Sequence, residues 1–441
     1  MNQISRRLRN LGFFTVGGLI AASSVLLTPH CGHSTPALGL KGSPKALVDE
    51  VWQIVNNTYV DGTFNHNDWQ VTRQQLLSKD YSSKAQAYDA IRVALEKLKD
   101  PYTRFLDPQD FAVFTQETSG ELSGIGAKLN LDKATKALIV LEAFTDSPAS
   151  KAGLQSGDVI LAVDGKPVKG LEVDKTVRLI RGKPNTIVNL KIARAGKRIF
   201  NVAVTRKAIV VPIVTSALKQ EGNNRIGYIR LSEFDDHADT QMKAANQSLE
   251  KQQVQGFILD LRDNPGGLLS MAVETSRLWI NDGAIVKTVD RNGRSETDEA
   301  DHSAITDLPL TVLVNGDSAS ASEIVTGALK DHHRAVIVGT KTFGKGIVQQ
   351  VNSLSDGSGL NVTIAHYYTP NGTDIHHKGI QPDVAVTLTP VQIKQLLDNP
   401  KLLASHSDPQ YEIAAQTVAK QIQSTASISD GTPPKPPLLS P

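Results

Sequence analysis

Leu310-Thr-Val-Leu-Val314 runs directly into Asn315-Gly-Asp-Ser-Ala-Ser320-Ala-Ser-Glu323, after which a helical apolar pattern continues to about residue 333. Five apolar or β-branched residues in a row predict a buried strand, and the small polar stretch that follows opens a helix. The same strand-to-helix unit occurs on both sides. Phe257-Ile-Leu-Asp-Leu261 leads through Arg262-Asp-Asn-Pro-Gly-Gly267 into a helix at 268–281. Ala335-Val-Ile-Val338 leads into Gly339-Thr-Lys-Thr-Phe-Gly-Lys-Gly346. Upstream, Gly227-Tyr-Ile-Arg-Leu231 precedes a helix at 237–254. Strands alternating with helices predict a largely parallel sheet, an α/β core in a multi-domain chain.

In such a core the C-terminal ends of the strands and the N-termini of the following helices share one edge, where sites form. Three segments land there: 262–267, 315–323 and 339–346. Ser320 opens a helix, and Lys345 follows 25 positions later. A serine hydroxyl needs a base to become a nucleophile. Lysine serves only when neutral, so its pKa must fall from about 10.4 to roughly 7–8. That takes roughly 4 kcal/mol of burial. Phe343, Gly344, Gly346, Ile347 and Val348 flank Lys345, so the adjacent sequence offers no carboxylate. Backbone N–H groups of Ala321, at the helix start, and Gly266 suit a developing oxyanion. Gln349 is placed to hold the amine. Ser320-Ala-Ser-Glu323 also reads as a capping box that requires no chemistry.

Other readings are weaker. Gly339-Thr-Lys-Thr-Phe-Gly344-Lys345 matches a phosphate loop, yet Gly346 stands where a hydroxyl should hold Mg²⁺. Ile347-Val-Gln-Gln-Val351 looks like strand, so no helix dipole faces a phosphate. His332-His333 and His376-His377 lack metal-ligand spacing, and we expect no metal and no cofactor.

Residues 118–207 carry short strands with turn residues, around one candidate helix at 172–181, and 44–117 are helical by periodicity. Helical character returns at 391–424, and a Pro-rich stretch at 425–441 is expected to be disordered. Residues 1–37 combine Arg6, Arg7 and Arg9 with an apolar run and Thr35-Pro-Ala37, the pattern of an export signal or retained anchor. Membrane association through this segment is therefore a possible outcome. The 441 residues fit about three domains, and 40% hydrophobic, 21% charged usage is ordinary for globular chains. The net charge of +2, with three arginines in the leader, becomes about −1 without them, which gives no reason to expect nucleic acid. The single cysteine, Cys31, lies in the leader, so the remainder has no disulfide and no thiol nucleophile.

Asn315-Gly-Asp-Ser-Ala-Ser-Ala-Ser-Glu-Ile324, Phe343-Gly-Lys-Gly-Ile-Val-Gln349 and Leu259-Asp-Leu-Arg-Asp-Asn-Pro-Gly-Gly267 together resemble the carboxyl-terminal processing (tail-specific) proteases across 44–390. The resemblance implies a crotonase/ClpP-like protease core at 208–390 and a serine endopeptidase with a Ser–Lys dyad. Ser320 would be the nucleophile, Lys345 the base, Gln349 its orienting partner, and Gly266 with Ala321 the oxyanion hole. It also selects Ser320 over Ser318 and Ser322. Lys151-Ala-Gly-Leu-Gln-Ser-Gly-Asp-Val-Ile-Leu-Ala-Val-Asp-Gly165 resembles a PDZ domain, inserted at 118–207. The loop Ser123, Gly124, Ile125, Gly126 would then capture a substrate's C-terminal peptide by its carboxylate. Tyr59-Val-Asp-Gly-Thr-Phe-Asn65 with Trp69 is similar to the cyanobacterial and plastid branch, whose members trim a photosystem II reaction-centre precursor in the thylakoid lumen. Location in the periplasm or thylakoid lumen follows from that resemblance. A non-catalytic PDZ scaffold, or a general periplasmic tail-specific protease with other substrates, is the alternative.

Overall fold

Strands Gly256–Asp260 and Leu310–Val314 are buried at all five positions each, as continuous apolar runs between two helical layers must be. They form the centre of a sheet ordered Val214–Glu221, Asn224–Leu231, Gly256–Asp260, Leu310–Val314, Val336–Gly339, Val384–Ala385. Every pairing in it is parallel except the hairpin of the first two strands. Helices Ala238–Glu250, Leu269–Arg277 and Ala321–Asp331 fill the crossovers, so the strand–helix alternation read from the sequence is realised.

The computed structural model describes residues 24–26, 43–132, 137–171, 173–196 and 199–429. The expected leader, apart from the backbone of 24–26, and the end of the expected tail lie outside them. The described residues divide into two compact units, 119–212 and the remainder, which comprises 24–26, 43–118 and 213–429.

In the larger unit a second sheet joins Ile347–Ser353, Gly359–Tyr368, Ala284–Asp290 and Ser295–Glu299, with Arg104–Leu106 added beside Gly359–Asn361. Helices Pro44–Thr58, Trp69–Ser78, Lys84–Glu96 and Pro108–Thr118 belong to this unit as well. Phe114 of the fourth packs with Leu268, while the apolar faces of the first three share a cluster with Leu354, Leu360 and Val362 of that sheet. Within it the Tyr59, Phe64 and Trp69 rings stack in sequence, and Trp52 Nε1 donates to the Trp69 carbonyl at 2.7 Å. The branch-like stretch 59–69 is thus a core element here.

The helical character expected at 391–424 is present as two helices, Pro390–Asp398 and Pro409–Ser429, separated by a 3-10 turn at Pro400–Leu402, and only the disorder expected from 425 needs correction. Pro400 and Pro409 interrupt any single helix. The second helix also runs five residues into the tail expected from 425, stopping before the breakers Gly431 and Pro433. Its root is fixed by a buried charge network. Arg262 Nη2 lies 2.6 Å from Asp260 and 2.9 Å from Asp408, and Tyr228 donates to Asp260 at 2.8 Å. Burial opposes the Asp260 carboxylate, but Arg262 outweighs it and holds the group well below its usual range.

The smaller unit holds an antiparallel sheet ordered Ala127–Leu131, Leu138–Ala143, Val159–Val163, Ile187–Ala193, Phe200–Thr205. Alternating burial along Ile187–Ala193 marks one face as core. Helix Val173–Ile180 stands where the sequence placed it. Ala127–Leu131 lies at the end of the sheet order, with a neighbour on one side only among the described residues.

Candidate active site

The three loops expected at the sheet edge are brought together. Asp263 N–H donates to Asn315 Oδ1 at 3.0 Å, and Asn315 Nδ2 returns a bond to Asp263 at 2.7 Å. Phe343 N–H donates to the Ser318 carbonyl at 3.0 Å. Ser318 and Ser322 are structural by contact: their hydroxyls donate to the Leu261 and Asn264 carbonyls.

Ser320 sits at the N-cap of helix Ala321–Asp331 with φ 57° and ψ −115°. A non-glycine residue in that region stores about 1–3 kcal/mol, which only an over-determined surrounding sustains. Three contacts supply it. Tyr367 donates its hydroxyl to the Ser320 carbonyl at 3.0 Å. Glu323 Oε2 accepts from the Ser320 N–H at 2.9 Å. Gly266, at φ 104°, packs so closely that a Cβ there would meet Ser320 Cβ and Ala321 N at 2.9 Å. The Ala321 N–H, in the first helical turn, has no intrahelical acceptor.

Glu323 does more than cap. Its Oε2 also accepts from the Lys345 N–H at 2.8 Å, and Oε1 accepts from the Gly344 N–H at 2.7 Å and the Thr342 hydroxyl at 2.5 Å. One fully buried carboxylate therefore ties the serine helix to the lysine loop. Burial pushes its carboxyl up, and the donated bonds oppose that. The capping-box reading was correct in part, yet the same carboxylate organises the site.

Lys345 is 1% exposed. Its Nζ lies 4.3 Å from the centroid of the Tyr102 ring and makes no hydrogen bond among the described residues. Burial, helped by Arg104, drives its pKa well below the ordinary lysine value; Asp100 and Glu323 pull the other way without prevailing. The sequence expectation that no carboxylate is near thus holds along the chain and fails in space, because the fold imports two. Tyr102 was not anticipated: it arrives from a loop some 240 positions upstream, and no local pattern signals it.

In the structure Gln349 is buried and its amide does not bond the Lys345 amine: its Nε2 donates to Thr363 Oγ1 at 3.4 Å, and its Oε1 has no partner among the described residues. The Gly266 N–H is not bare, since it donates to Asn264 Oδ1 at 2.9 Å in an Asx turn that Asn-Pro-Gly readily forms. The phosphate-loop alternative fails, because Ile347–Ser353 is a strand. His376 is close by, with Nδ1 accepting from the Gly346 N–H at 3.3 Å. Burial and then the neighbouring imidazoles lower it to about 4, so it is neutral near pH 7. Among the described residues no cluster has the composition to hold a metal ion.

In the smaller unit, Ser123 and Gly124 end a strand paired with Lys207 and Ala208, and the Ser123 hydroxyl donates to the Gly182 carbonyl. Ile125 and Gly126 turn their carbonyls to Ala149 and Phe144. This turn leads directly into the edge strand Ala127–Leu131.

Residues 225–386 match the model of peptidase family S41, and 139–194 match a PDZ domain. A carboxyl-terminal-processing protease of Synechocystis sp. is 40% identical over 387 residues, covering 87% of this chain and 89% of the relative. The chain belongs to this family. A chloroplastic C-terminal processing peptidase of Tetradesmus obliquus is 38% identical, covering 78% and 77%. A solved structure of a photosystem II D1 C-terminal processing protease is 36% identical with a TM-score of 0.54, covering 84% of this chain and 99% of that one. The chain is accordingly a serine-type, carboxyl-terminal-processing peptidase with a PDZ domain, and its fold is the S41 core that the sequence resemblance implied. Among the described residues no helix is long and apolar enough to cross a membrane.

Proposed function

We propose that Ser320 and Lys345 form the catalytic dyad of an exported endopeptidase that removes C-terminal extensions from protein substrates. The observation that carries this reading is the Lys345 amine, buried and without any hydrogen bond among the described residues, on a loop pinned to the Ser320 helix by one carboxylate. Such an amine favours its neutral form and has a lone pair to offer.

The Ser320 hydroxyl proton passes to Lys345 Nζ as Oγ attacks the scissile carbonyl. In the free enzyme that hydrogen bond is not made; bonds of this kind tighten when substrate fills the site. The oxyanion is met by the Ala321 N–H and by the Gly266 N–H, which exchanges Asn264 for the substrate oxygen. The Lys345 ammonium then protonates the departing amine. After that the neutral amine activates the water that releases the acyl group, and no cofactor enters.

The PDZ unit captures the substrate's C-terminus, which adds as a strand along Ala127–Leu131 with its carboxylate at Ser123, Gly124, Ile125 and Gly126. Because the carbonyls of Ile125 and Gly126 are engaged within the fold, recognition falls to the N–H side of that turn. The likeness to the D1 processing protease supports a photosystem II reaction-centre precursor as substrate, and the cyanobacterial and chloroplastic relatives support a periplasmic or lumenal site of action. The test is hydrolysis of a peptide ending in a candidate extension by wild type, Ser320→Ala and Lys345→Ala. Loss in both variants is expected; activity equal in all three overturns the dyad.

A further inference from the structure

The loop Asp100–Arg104 carries the helical region to the site. Asp100 Oδ1 accepts from the Tyr102 N–H at 2.9 Å. Its Oδ2 accepts from the Thr103 and Thr363 hydroxyls, each at 2.7 Å. Thr103 Oγ1 in turn accepts from the Thr363 N–H at 3.0 Å, so this corner of the sheet is closed by reciprocal bonds.

The proton inventory of that corner has a consequence. A carboxylate has only acceptors, so Thr363 must spend its single hydroxyl proton on Asp100. Toward its cross-strand neighbour Gln349 it then presents lone pairs alone. The side of Gln349 that meets Thr363 must be the NH₂, which turns the amide oxygen to the opposite side. Oε1 is buried and without a partner among the described residues, as is the Nζ of Lys345, four residues earlier in the chain.

We propose that Asp100, acting through Thr363, fixes the amide orientation of Gln349 so that its oxygen is the acceptor for an N–H of the Lys345 amine. Asp100 and Thr363 are positioning residues: they touch neither substrate nor reacting atoms. With Gln349 Oε1 taking one N–H, the lone pair of Lys345 is left to face Ser320. Reversing the amide sets NH₂ against the amine, donor against donor, and the base loses its aim. The inference rests on the dyad reading above and adds to it a dependence on the helical region.

The test uses the full-length enzyme and one peptide substrate. Thr363→Val removes the link while keeping the Asp100 charge, and Thr363→Ser keeps the link. We expect Thr363→Val and Asp100→Asn each to lower kcat about 10-fold with KM unchanged, a fraction of the ~10²–10⁴ that a positioned base contributes. Both should also displace the ascending limb of the pH–rate profile. Thr363→Ser should recover activity to within about twofold of wild type. In a Gln349→Ala background the Thr363→Val loss should vanish, because its target is gone, while Asp100→Asn should keep only the effect of its lost charge on Lys345. A Thr363→Val loss of unchanged size in that background, or failure of Thr363→Ser to recover, overturns the relay while leaving the dyad intact. Activity in Lys345→Ala overturns both. If Asp100→Asn unfolds, as its thermal melt would reveal, the Thr363 pair alone decides.

Discussion

The carboxylate of Glu323 accepts the backbone N–H of Lys345 at 2.8 Å, although one lies in a helix and the other on the loop between two later strands. The same oxygen takes the N–H of Ser320, so the distance between nucleophile and base is set through backbone amides rather than through their mobile side chains. That is the preorganisation a two-residue catalytic device requires.

Glu323→Gln tests this bridge. Four donors converge on the two carboxylate oxygens, and an amide places NH₂ against two of them. We expect a loss of about 100-fold or more in kcat, with roughly 1–3 kcal/mol of stability lost to the unsatisfied donors. Steady-state kinetics and urea melts measure the two. A fully active, fully stable variant would show the bridge to be incidental.

The pH–rate profile should rise through a limb well below the ordinary lysine range, because only neutral Lys345 accepts the proton. Other groups near the site also titrate near neutrality. Burial, then neighbouring carboxylates, raises Glu233 to about 7, and burial raises Asp235 to about 6; they flank Phe234, whose N–H donates to the Gly266 carbonyl. Glu233→Gln and His376→Asn should both retain the ascending limb. Its disappearance in either variant would reassign it.

Lys345 also costs stability. Its folded pKa lies below the unfolded one, so the unfolded chain binds the extra proton and stability rises with pH until about 10.4. Lys345→Met should therefore be more stable than wild type at pH 7, by roughly 1–4 kcal/mol, and the gap should narrow by pH 9.5. Denaturant melts at both values decide it; a less stable methionine variant at pH 7 contradicts the burial argument.

Much of this site was legible in the sequence. The apolar runs at 257–261 and 310–314 set the sheet, and the loops leaving those strands had to share an edge. What stayed hidden was whatever depends on distant segments meeting. Glu323 reads locally as a helix cap, and nothing near it shows that it also holds residues 342–345. Asp100 and Tyr102 sit in a loop after a helix, and only the pairing of Arg104–Leu106 with Gly359–Asn361 brings them beside Lys345. That the Gly266 N–H is engaged by Asn264 does not show in the glycine itself, whose lack of a side chain signals only close approach.

The PDZ reading predicts a separation of binding from chemistry. Gly126 has φ +71°, and a Cβ there would meet Ser147 Cβ at 2.4 Å, so Gly126→Val must distort the turn. For a protein substrate with its native C-terminus KM should rise about 10-fold, in the range of a lost recognition contact of roughly 1.4 kcal/mol. Cleavage of a short internal peptide should be unchanged. Equal loss on both substrates would place the damage in folding instead.

The most direct measurement is covalent: incubate the enzyme at pH 7.5 with a serine-reactive fluorophosphonate and locate the adduct by peptide mass spectrometry. The proposed dyad requires stoichiometric modification of Ser320, with Ser318 and Ser322 unmodified, and labelling at least about 100-fold slower in Lys345→Ala. Undiminished labelling of that variant, or an adduct on a different serine, would contradict it.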